Sequence, residues 1–253
     1  MNATAAPKAP VIIAGRRRRS RSFFYVGIGL LMIVLAVAGF WPQYYGALAG
    51  RPVGPDVSHW LIHIHAAIFL GWLFLFLAQS ALVWRGRTDL HRRFGAALAV
   101  YGFAAAAFGL VAGFALAARL GARIGNLDEG AAFVFAPTID MVFLAGFLAA
   151  ALVWRKRPET HERLMLLATY SIAVVVIGRL LFRIPSLESA WLWQPATLSP
   201  ILIAMLHDLI VSRRLHPVLL IGLFVHALRL NQEVYTKTEA WLPIGRALIA
   251  PFL

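Results

Sequence analysis

Long apolar runs dominate this sequence and restrict what it can fold into. A helix needs about 20 consecutive apolar residues to cross the hydrocarbon core of a bilayer. Seven segments reach or approach that length, namely Phe23–Trp41, Trp60–Trp84, Ala96–Leu120, Ala131–Trp154, Leu164–Phe182, Leu192–Ser212 and Pro217–Asn231. The sequence therefore predicts an all-α fold, a polytopic transmembrane helical bundle of about seven spans.

The sixth and seventh runs are weaker than the first five. The sixth contains Pro195, Pro200, His207 and Asp208, and the seventh is short. The alternative for these two segments is a distorted or partly re-entrant pair. Composition supports a membrane protein in either case, because 60% of the residues are hydrophobic and 14% are charged, whereas a soluble domain is about 45–50% apolar and about a quarter charged.

The net charge of +13 lies mostly in alternate loops between the apolar runs. Cytoplasmic loops of membrane proteins carry this excess of Lys and Arg. We therefore expect anionic lipids, not nucleic acid, to face these loops, and a bacterial inner-membrane protein with a cytoplasmic N-terminus and a periplasmic C-terminus. The basic loops contain Lys8, Arg16 to Arg19, Arg21, Arg85, Arg87, Arg92, Arg93, Arg155, Lys156, Arg157, Arg163, Arg213 and Arg214.

Three parts follow from this topology. Residues 1–22 form a basic cytoplasmic N-terminal arm, residues 23–232 form the seven-helix transmembrane domain, and residues 233–253 form a periplasmic surface tail. The sequence contains no cysteine, which excludes disulfides, thiolate metal sites and cysteine nucleophiles.

An internal repeat connects two of the predicted hairpins. Residues 81–93 (ALVWRGRTDLHRR) align with residues 151–163 (ALVWRKRPETHER), with 8 of 13 positions identical, and residues 209–216 form a weaker third copy. The spans thus pair into two or three repeated helical hairpins. Each copy places a histidine at the start of the returning helix, and the shared motif comprises Arg87, His91, Arg157, His161 and His216. These residues either bind lipid phosphates and hydrogen-bond at the interface or hold a ligand or metal.

Ionisable residues inside the predicted spans are costly and mark function by default. Five of them are expected in the outer half of the bilayer: His65, Asp140, Arg179, His226 and Arg229. In a structural interpretation Asp140 pairs with Arg179. In a functional one the cluster lines a cavity open to the periplasm. His65, Trp72 and Gln79 are seven residues apart and share one helix face.

A second intramembrane group lies nearer the cytoplasmic side. Asp208, next to His207, is within reach of the basic loops, and we expect it to pair with one of their arginines.

Three functions fit these residues. The first is haem b, with His65 and His226 as axial ligands and Arg179 and Arg229 on the propionates. The second is transport or sensing of a small anionic or protonatable ligand. The third is an accessory, assembly or regulatory membrane subunit, working with a membrane-protein partner or as a homo-oligomer. The sequence contains no motif of a membrane enzyme, so an enzyme is the least favoured interpretation.

Three stretches resemble a group of bacterial multi-pass membrane proteins of unassigned function. They are residues 65–79 (HAAIFLGWLFLFLAQ), residues 86–95 (GRTDLHRRFG) and residues 161–169 (HERLMLLAT). The corresponding motifs are GRxxLHRRxG and HxRLMLLAT, and the resemblance covers residues 60–230. It implies that His65, Gln79, His91 and His161 belong to the pattern of the group, and it brings no activity or cofactor.

Overall fold

The fold is all-helical, as predicted, across the part of the chain that the structure describes. The computed structural model describes residues 9–50, 60–184 and 190–253, with the backbone alone at residues 9–22, 43, 190 and 191. Its helices are α1 (Ala9–Phe40), α2 (Gly46–Leu48), α3 (Trp60–Trp84), α4 (Thr88–Ile124), α5 (Leu127–Phe133), α6 (Phe135–Val153), α7 (Pro158–Leu181), α8 (Ala190–Thr197), α9 (Ser199–Ser212), α10 (Pro217–Leu230), α11 (Glu233–Thr236) and α12 (Leu242–Ile249). A π-helical turn, Trp41–Tyr45, follows α1, and a 3₁₀ turn, Ala250–Phe252, follows α12.

Five helical segments in the described residues are long and apolar enough to cross a membrane: Phe23–Phe40, Trp60–Trp84, Thr88–Ile124, Leu127–Val153 and Pro158–Leu181. They match the first five predicted spans. Helices α9 and α10 have 14 residues each, which at 1.5 Å per residue is about 21 Å. The hydrocarbon core is about 30 Å thick, so neither helix is long enough by itself.

Helix α7 lies at the centre of the bundle. Of its most apolar window 72% is buried, against 28–39% for the other four candidate spans. Helix α7 packs mainly on α6 and α1, α3 packs on α1 and α4, and α4 packs on α6. The structure thus arranges the five predicted spans around a central helix. Hydropathy alone does not predict which helix is central.

Small residues allow helix α4 to approach its neighbours closely. Buried Ala and Gly residues recur along it. A Cβ added at Gly102 would collide with Trp72 and Leu148, and one added at Gly109 would collide with Met141. Small residues at helix contacts are how membrane helices gain van der Waals packing when lipid removes the hydrophobic drive.

Helices α8 and α9 together run antiparallel to α7 along nearly its whole length. The ring of Trp193 packs 5.3 Å from the ring of Phe182 near the end of α7. At the other end, Arg163 in α7 bonds Asp208 in α9. The helix breaks at Leu198 because Pro200 has no N–H to continue the hydrogen-bond ladder.

Helix α10 runs parallel to α7. His216 Nε2 lies 3.5 Å from Thr160 Oγ1 at the start of both helices. About three turns further on, His226 Nε2 lies 3.2 Å from Ser171 Oγ. Between these contacts Gly222 packs so closely on Leu167 that an added Cβ would collide with the leucine side chain.

The predicted span Ala131–Trp154 is interrupted, which sequence hydropathy did not indicate. Helix α5 ends at Phe133 and α6 begins at Phe135. The Asn126 side chain caps α5 by accepting hydrogen bonds from the backbone N–H groups of Asp128 (3.0 Å) and Glu129 (3.4 Å), as Asn at an N-cap does. Gly125, with φ of 68°, ends α4 in the left-handed region.

The C-terminal tail packs against α5. Trp241 Nε1 donates to the Ala131 carbonyl at 2.8 Å, and Ile249 is buried in a small cluster with Ala117 and Ala118. Lys237 Nζ lies 2.9 Å from Glu129, and this carboxylate raises the pKa of Lys237. The tail therefore lies at the end of the bundle opposite the turns at 85–87, 154–157 and 213–216, which we call the basic end.

Candidate functional site

Asp140 forms a bidentate ion pair with Arg229. Arg229 Nε donates to Asp140 Oδ1 at 2.7 Å, and Nη2 donates to Oδ2 at 2.6 Å. Both side chains are buried, and Asp140 is 1% exposed. The predicted partner, Arg179, is wrong: α10 lies close enough to α6 to bring Arg229 to the carboxylate, and a sequence contains no such helix order.

Arg179 has a different environment. Its guanidinium carbon lies 5.2 Å from the centre of the Phe40 ring. A cation over an aromatic face is stabilised by the ring quadrupole. The described residues give Arg179 no carboxylate partner, so among the predicted outer cations it is the one not neutralised by an ion pair in this part of the chain.

His226 is fully buried, and both of its nitrogens are hydrogen-bonded. Nδ1 lies 2.8 Å from the Gly222 carbonyl and must donate, because a carbonyl can only accept. In the neutral ring Nε2 then accepts from the Ser171 hydroxyl at 3.2 Å. The ring of Phe147 stacks on the imidazole at 5.6 Å, and Tyr170 packs edge-on at 4.8 Å.

His65 lies in other surroundings. Its ring packs 4.6 Å from Phe69 and 6.5 Å from Phe108, and its buried Nδ1 has no hydrogen-bond partner among the described residues. The same helix face buries Trp72, whose Nε1 donates to Thr169 Oγ1 at 3.2 Å. At Trp72, therefore, this face is turned to protein.

The four residues predicted to hold haem do not fit it. An axial ligand needs a free nitrogen lone pair, and the one on His226 is occupied by Ser171. The guanidinium of Arg229 is already paired with the Asp140 carboxylate and is therefore not available to bind a propionate. His65 and Arg179 retain unused donor or acceptor groups, but they do not make a bis-histidine site.

A second bidentate pair lies near the basic end. Arg163 Nε donates to Asp208 Oδ2 at 2.8 Å and Nη2 donates to Oδ1 at 2.5 Å. Arg163 also contacts Glu162 at 3.1 Å and is 2% exposed. The prediction that Asp208 pairs with an arginine of the basic loops is thus confirmed. The neighbouring His207 stacks on Phe24 of α1, with ring centres 4.1 Å apart.

The three histidines of the repeat motif converge on the basic end. His91 and His161 have ring centres 6.1 Å apart at an interplanar angle of 81°. His216 caps α10 by accepting from the backbone N–H of Val218 at 3.3 Å. Burial, and then the nearby Arg163, lower the pKa of His216.

The two arginines of the repeat motif occupy the turns of the hairpins. Arg87 precedes α4 and lies 3.5 Å from Asp89 in an exposed ion pair. Arg157 precedes α7, and its backbone carbonyl accepts from the N–H of His161 at 2.9 Å. Both side chains are exposed.

Hydroxyl groups on α7 are polar core residues that the sequence analysis missed. Thr169, Tyr170 and Ser171 are fully buried. Tyr170 donates to the Thr197 carbonyl at 2.9 Å, at the break between α8 and α9. The signal was a run of three consecutive hydroxyl residues inside a predicted span, where such groups hydrogen-bond between helices.

Comparisons with protein families, with curated proteins and with solved structures gave no match for this chain. The chemistry must be inferred from the geometry. The described core contains two closed ion pairs and an internally bonded histidine. An open apolar depression lies on the surface of α1 and the π-helical turn after it, lined by Ile33, Val34, Val37, Ala38, Trp41 and Pro42.

Proposed function

We propose that this chain is an accessory, assembly or regulatory subunit of a bacterial inner membrane, with no catalytic chemistry of its own. The observation that carries the proposal is the mutual neutralisation of Asp140 with Arg229 and of Arg163 with Asp208. A transport site must present its charges to a ligand. Here the four charged side chains bind one another, and their ion pairs join α6 to α10 and α7 to α9.

The proposed topology has seven crossings with the N-terminus in the cytoplasm. The contacts along α7 support it, because Trp193 lies beside Phe182 and Asp208 beside Arg163. A kinked α8–α9 unit that accompanies a spanning helix from one end to the other crosses what that helix crosses. Helix α10 then returns in the direction of α7, towards the tail.

Reporter fusions test this topology. A reporter active only in the periplasm should be active when fused after Asn231 and silent when fused after Ser212. A fusion after Gly125 serves as the active control. Activity after both Ser212 and Asn231 would mean that α8 to α10 do not cross, which leaves the five long helices as the spans.

One observation favours a second function, the transport or sensing of a small anionic ligand. Arg179 lacks a carboxylate partner and His65 Nδ1 lacks a hydrogen-bond partner in the described part of the chain. An anion could be bound by these two side chains, because the guanidinium is positively charged and the imidazole nitrogen is free to form a hydrogen bond. Both groups lie near the same end of the bundle. The two functions make opposite demands on these side chains.

Deleting the gene and restoring it with variants separates the two functions. For a subunit, deletion should lower the amount of at least one membrane complex on native gels, and the double variant Arg179→Gln, His65→Gln should restore it fully. The matched loss-of-packing variant Gly222→Leu should fail to restore it, because the leucine collides with Leu167. A well-folded double variant that fails to restore the complex would contradict the subunit proposal and favour the anion site.

A further inference from the structure

The histidine pair at the basic end is not used by the proposed function. His91 begins α4 and His161 begins α7, yet α4 packs mainly on α3, α5 and α6, and α7 mainly on α6 and α1. Two residues from helices that are not main packing partners nevertheless meet, with ring centres 6.1 Å apart. The equivalent positions of the sequence repeat are therefore brought together at one point.

A backbone carbonyl of the preceding helix fixes the His161 ring. His161 Nδ1 lies 2.8 Å from the Ala151 carbonyl in the last turn of α6. A carbonyl only accepts, so Nδ1 of His161 carries the proton. The neutral His161 ring then keeps a lone pair on Nε2.

His91 also has a ring nitrogen without a hydrogen-bond partner among the described residues. Nδ1 of His91 is buried and unpaired, and so is Oε1 of the Gln79 side chain. A buried acceptor without a donor is costly. Histidines that bind metals show this arrangement, with one ring N–H fixed by a carbonyl or carboxylate and the other nitrogen on the metal.

We propose that His91 and His161 bind a first-row transition-metal cation of the zinc or copper class, with water completing its coordination. Imidazole suits both metals. Two bonds of about 2.0 Å, plus about 1.1 Å from each nitrogen to its ring centre, place the ring centres about 6.2 Å apart for a linear arrangement and about 5 Å apart for a tetrahedral one. The observed 6.1 Å is about 1 Å more than a tetrahedral ion needs, so we expect the two rings to move together by that amount when the metal binds.

The protein supplies few ligands, which limits the affinity. The described residues contain no group of three or more His, Cys, Asp or Glu side chains placed to hold a metal. Gln79 Oε1, buried in α3 without a hydrogen-bond partner among the described residues, is a further oxygen acceptor. We therefore expect micromolar binding and an exchangeable ion, in contrast to the four-ligand sites that hold small domains together.

The surrounding charge predicts an unusual salt dependence. Arg92 follows His91 directly, and the basic end carries more Arg than Asp or Glu. Asp89 is paired with Arg87. A cation that enters this field is repelled at low ionic strength, and salt screens the repulsion. The affinity for the metal should therefore rise with salt. Metal that is bound loosely by acidic surfaces shows the opposite dependence, because salt weakens its binding.

Zinc titration of the tag-free full-length protein in detergent tests the proposal. Calorimetry should show about one Zn²⁺ per chain with a micromolar Kd, which tightens between low and moderate salt. His91→Gln and His161→Gln should each weaken binding at least tenfold. His63→Gln is the matched control, because His63 bonds Tyr44 at the opposite end of the bundle, and it should leave binding unchanged.

Two cysteines provide a second test that does not depend on the single variants folding. The chain has no cysteine, so His91→Cys with His161→Cys introduces a unique pair. It should retain Zn²⁺ binding, because thiolates are strong zinc ligands. Wild-type protein with no binding below millimolar Zn²⁺, or single variants that bind as the wild type does, would overturn the site.

Discussion

Asp140→Asn is expected to cost the detergent-solubilised protein about 3–5 kcal/mol of its free energy of unfolding. The carboxylate holds Arg229 through two hydrogen bonds of 2.7 and 2.6 Å, and both side chains are buried. Removing one charge leaves the guanidinium buried without a counter-charge. Most of the lost free energy comes from burying this cation away from water without a counter-charge, and less comes from the lost attraction of the pair.

The double variant Asp140→Asn, Arg229→Gln should recover part of the loss, because neither residue then carries a charge. Arg179→Gln is a matched control from the same half of the bundle. Its guanidinium lies over Phe40 without a carboxylate partner in the described residues, so its loss should cost about 1 kcal/mol or less. Denaturant titration in detergent measures the wild type, the single variants Asp140→Asn, Arg229→Gln and Arg179→Gln, and the double variants of Asp140→Asn with Arg229→Gln and with Arg179→Gln.

Two outcomes would contradict the pairing. One is a strictly additive double variant, since residues in contact show coupling in a double-mutant cycle. The other is coupling between Asp140 and Arg179 in place of Arg229, which would restore the pair expected from sequence depth alone.

Hydropathy predicted the first five helices, because crossing a bilayer requires length and apolarity, and both can be counted along a chain. It did not predict the break at Val134, where Pro137 has no N–H to donate to the carbonyl of Phe133 four residues earlier. It also did not predict that α8 and α9 would be separated at Leu198, although the prolines flanking this break indicated distortion. Local chemistry determines such interruptions, and a hydropathy window averages over it.

The sequence predicted which ionisable residues lie inside the membrane spans, but not which of them pair with one another. Depth estimates placed Asp140, Arg179 and Arg229 in the same half of the bilayer, and any pairing among them was consistent with the sequence. The choice of Arg229 depends on α10 lying against α6 and α7, which is a property of packing. The pairing of Asp208 could be predicted, because the basic loops contain arginines at the same depth as Asp208. Arg163 is one of these arginines.

Asp208→Asn is expected to cost at least about 3 kcal/mol, because Arg163 would remain buried at 2% exposure without its bidentate partner. Glu162→Gln is the matched control, since Glu162 also contacts Arg163, through one hydrogen bond of 3.1 Å, and is 25% exposed. A partly solvated single contact should cost less than about 1 kcal/mol. The midpoint of denaturant unfolding in detergent separates the two variants.

An apolar replacement of the whole pair distinguishes its role further. Buried ion pairs exchanged for packed hydrophobic residues are often neutral or stabilising. The double variant Arg163→Met, Asp208→Leu should therefore be more stable than Asp208→Asn and close to the wild type. Equal losses in Asp208→Asn and Glu162→Gln would show that Arg163 is neutralised by its surroundings at large. A double variant as unstable as Asp208→Asn would show that the hydrogen bonds of the pair, and not the desolvated charge, hold α9 against α7.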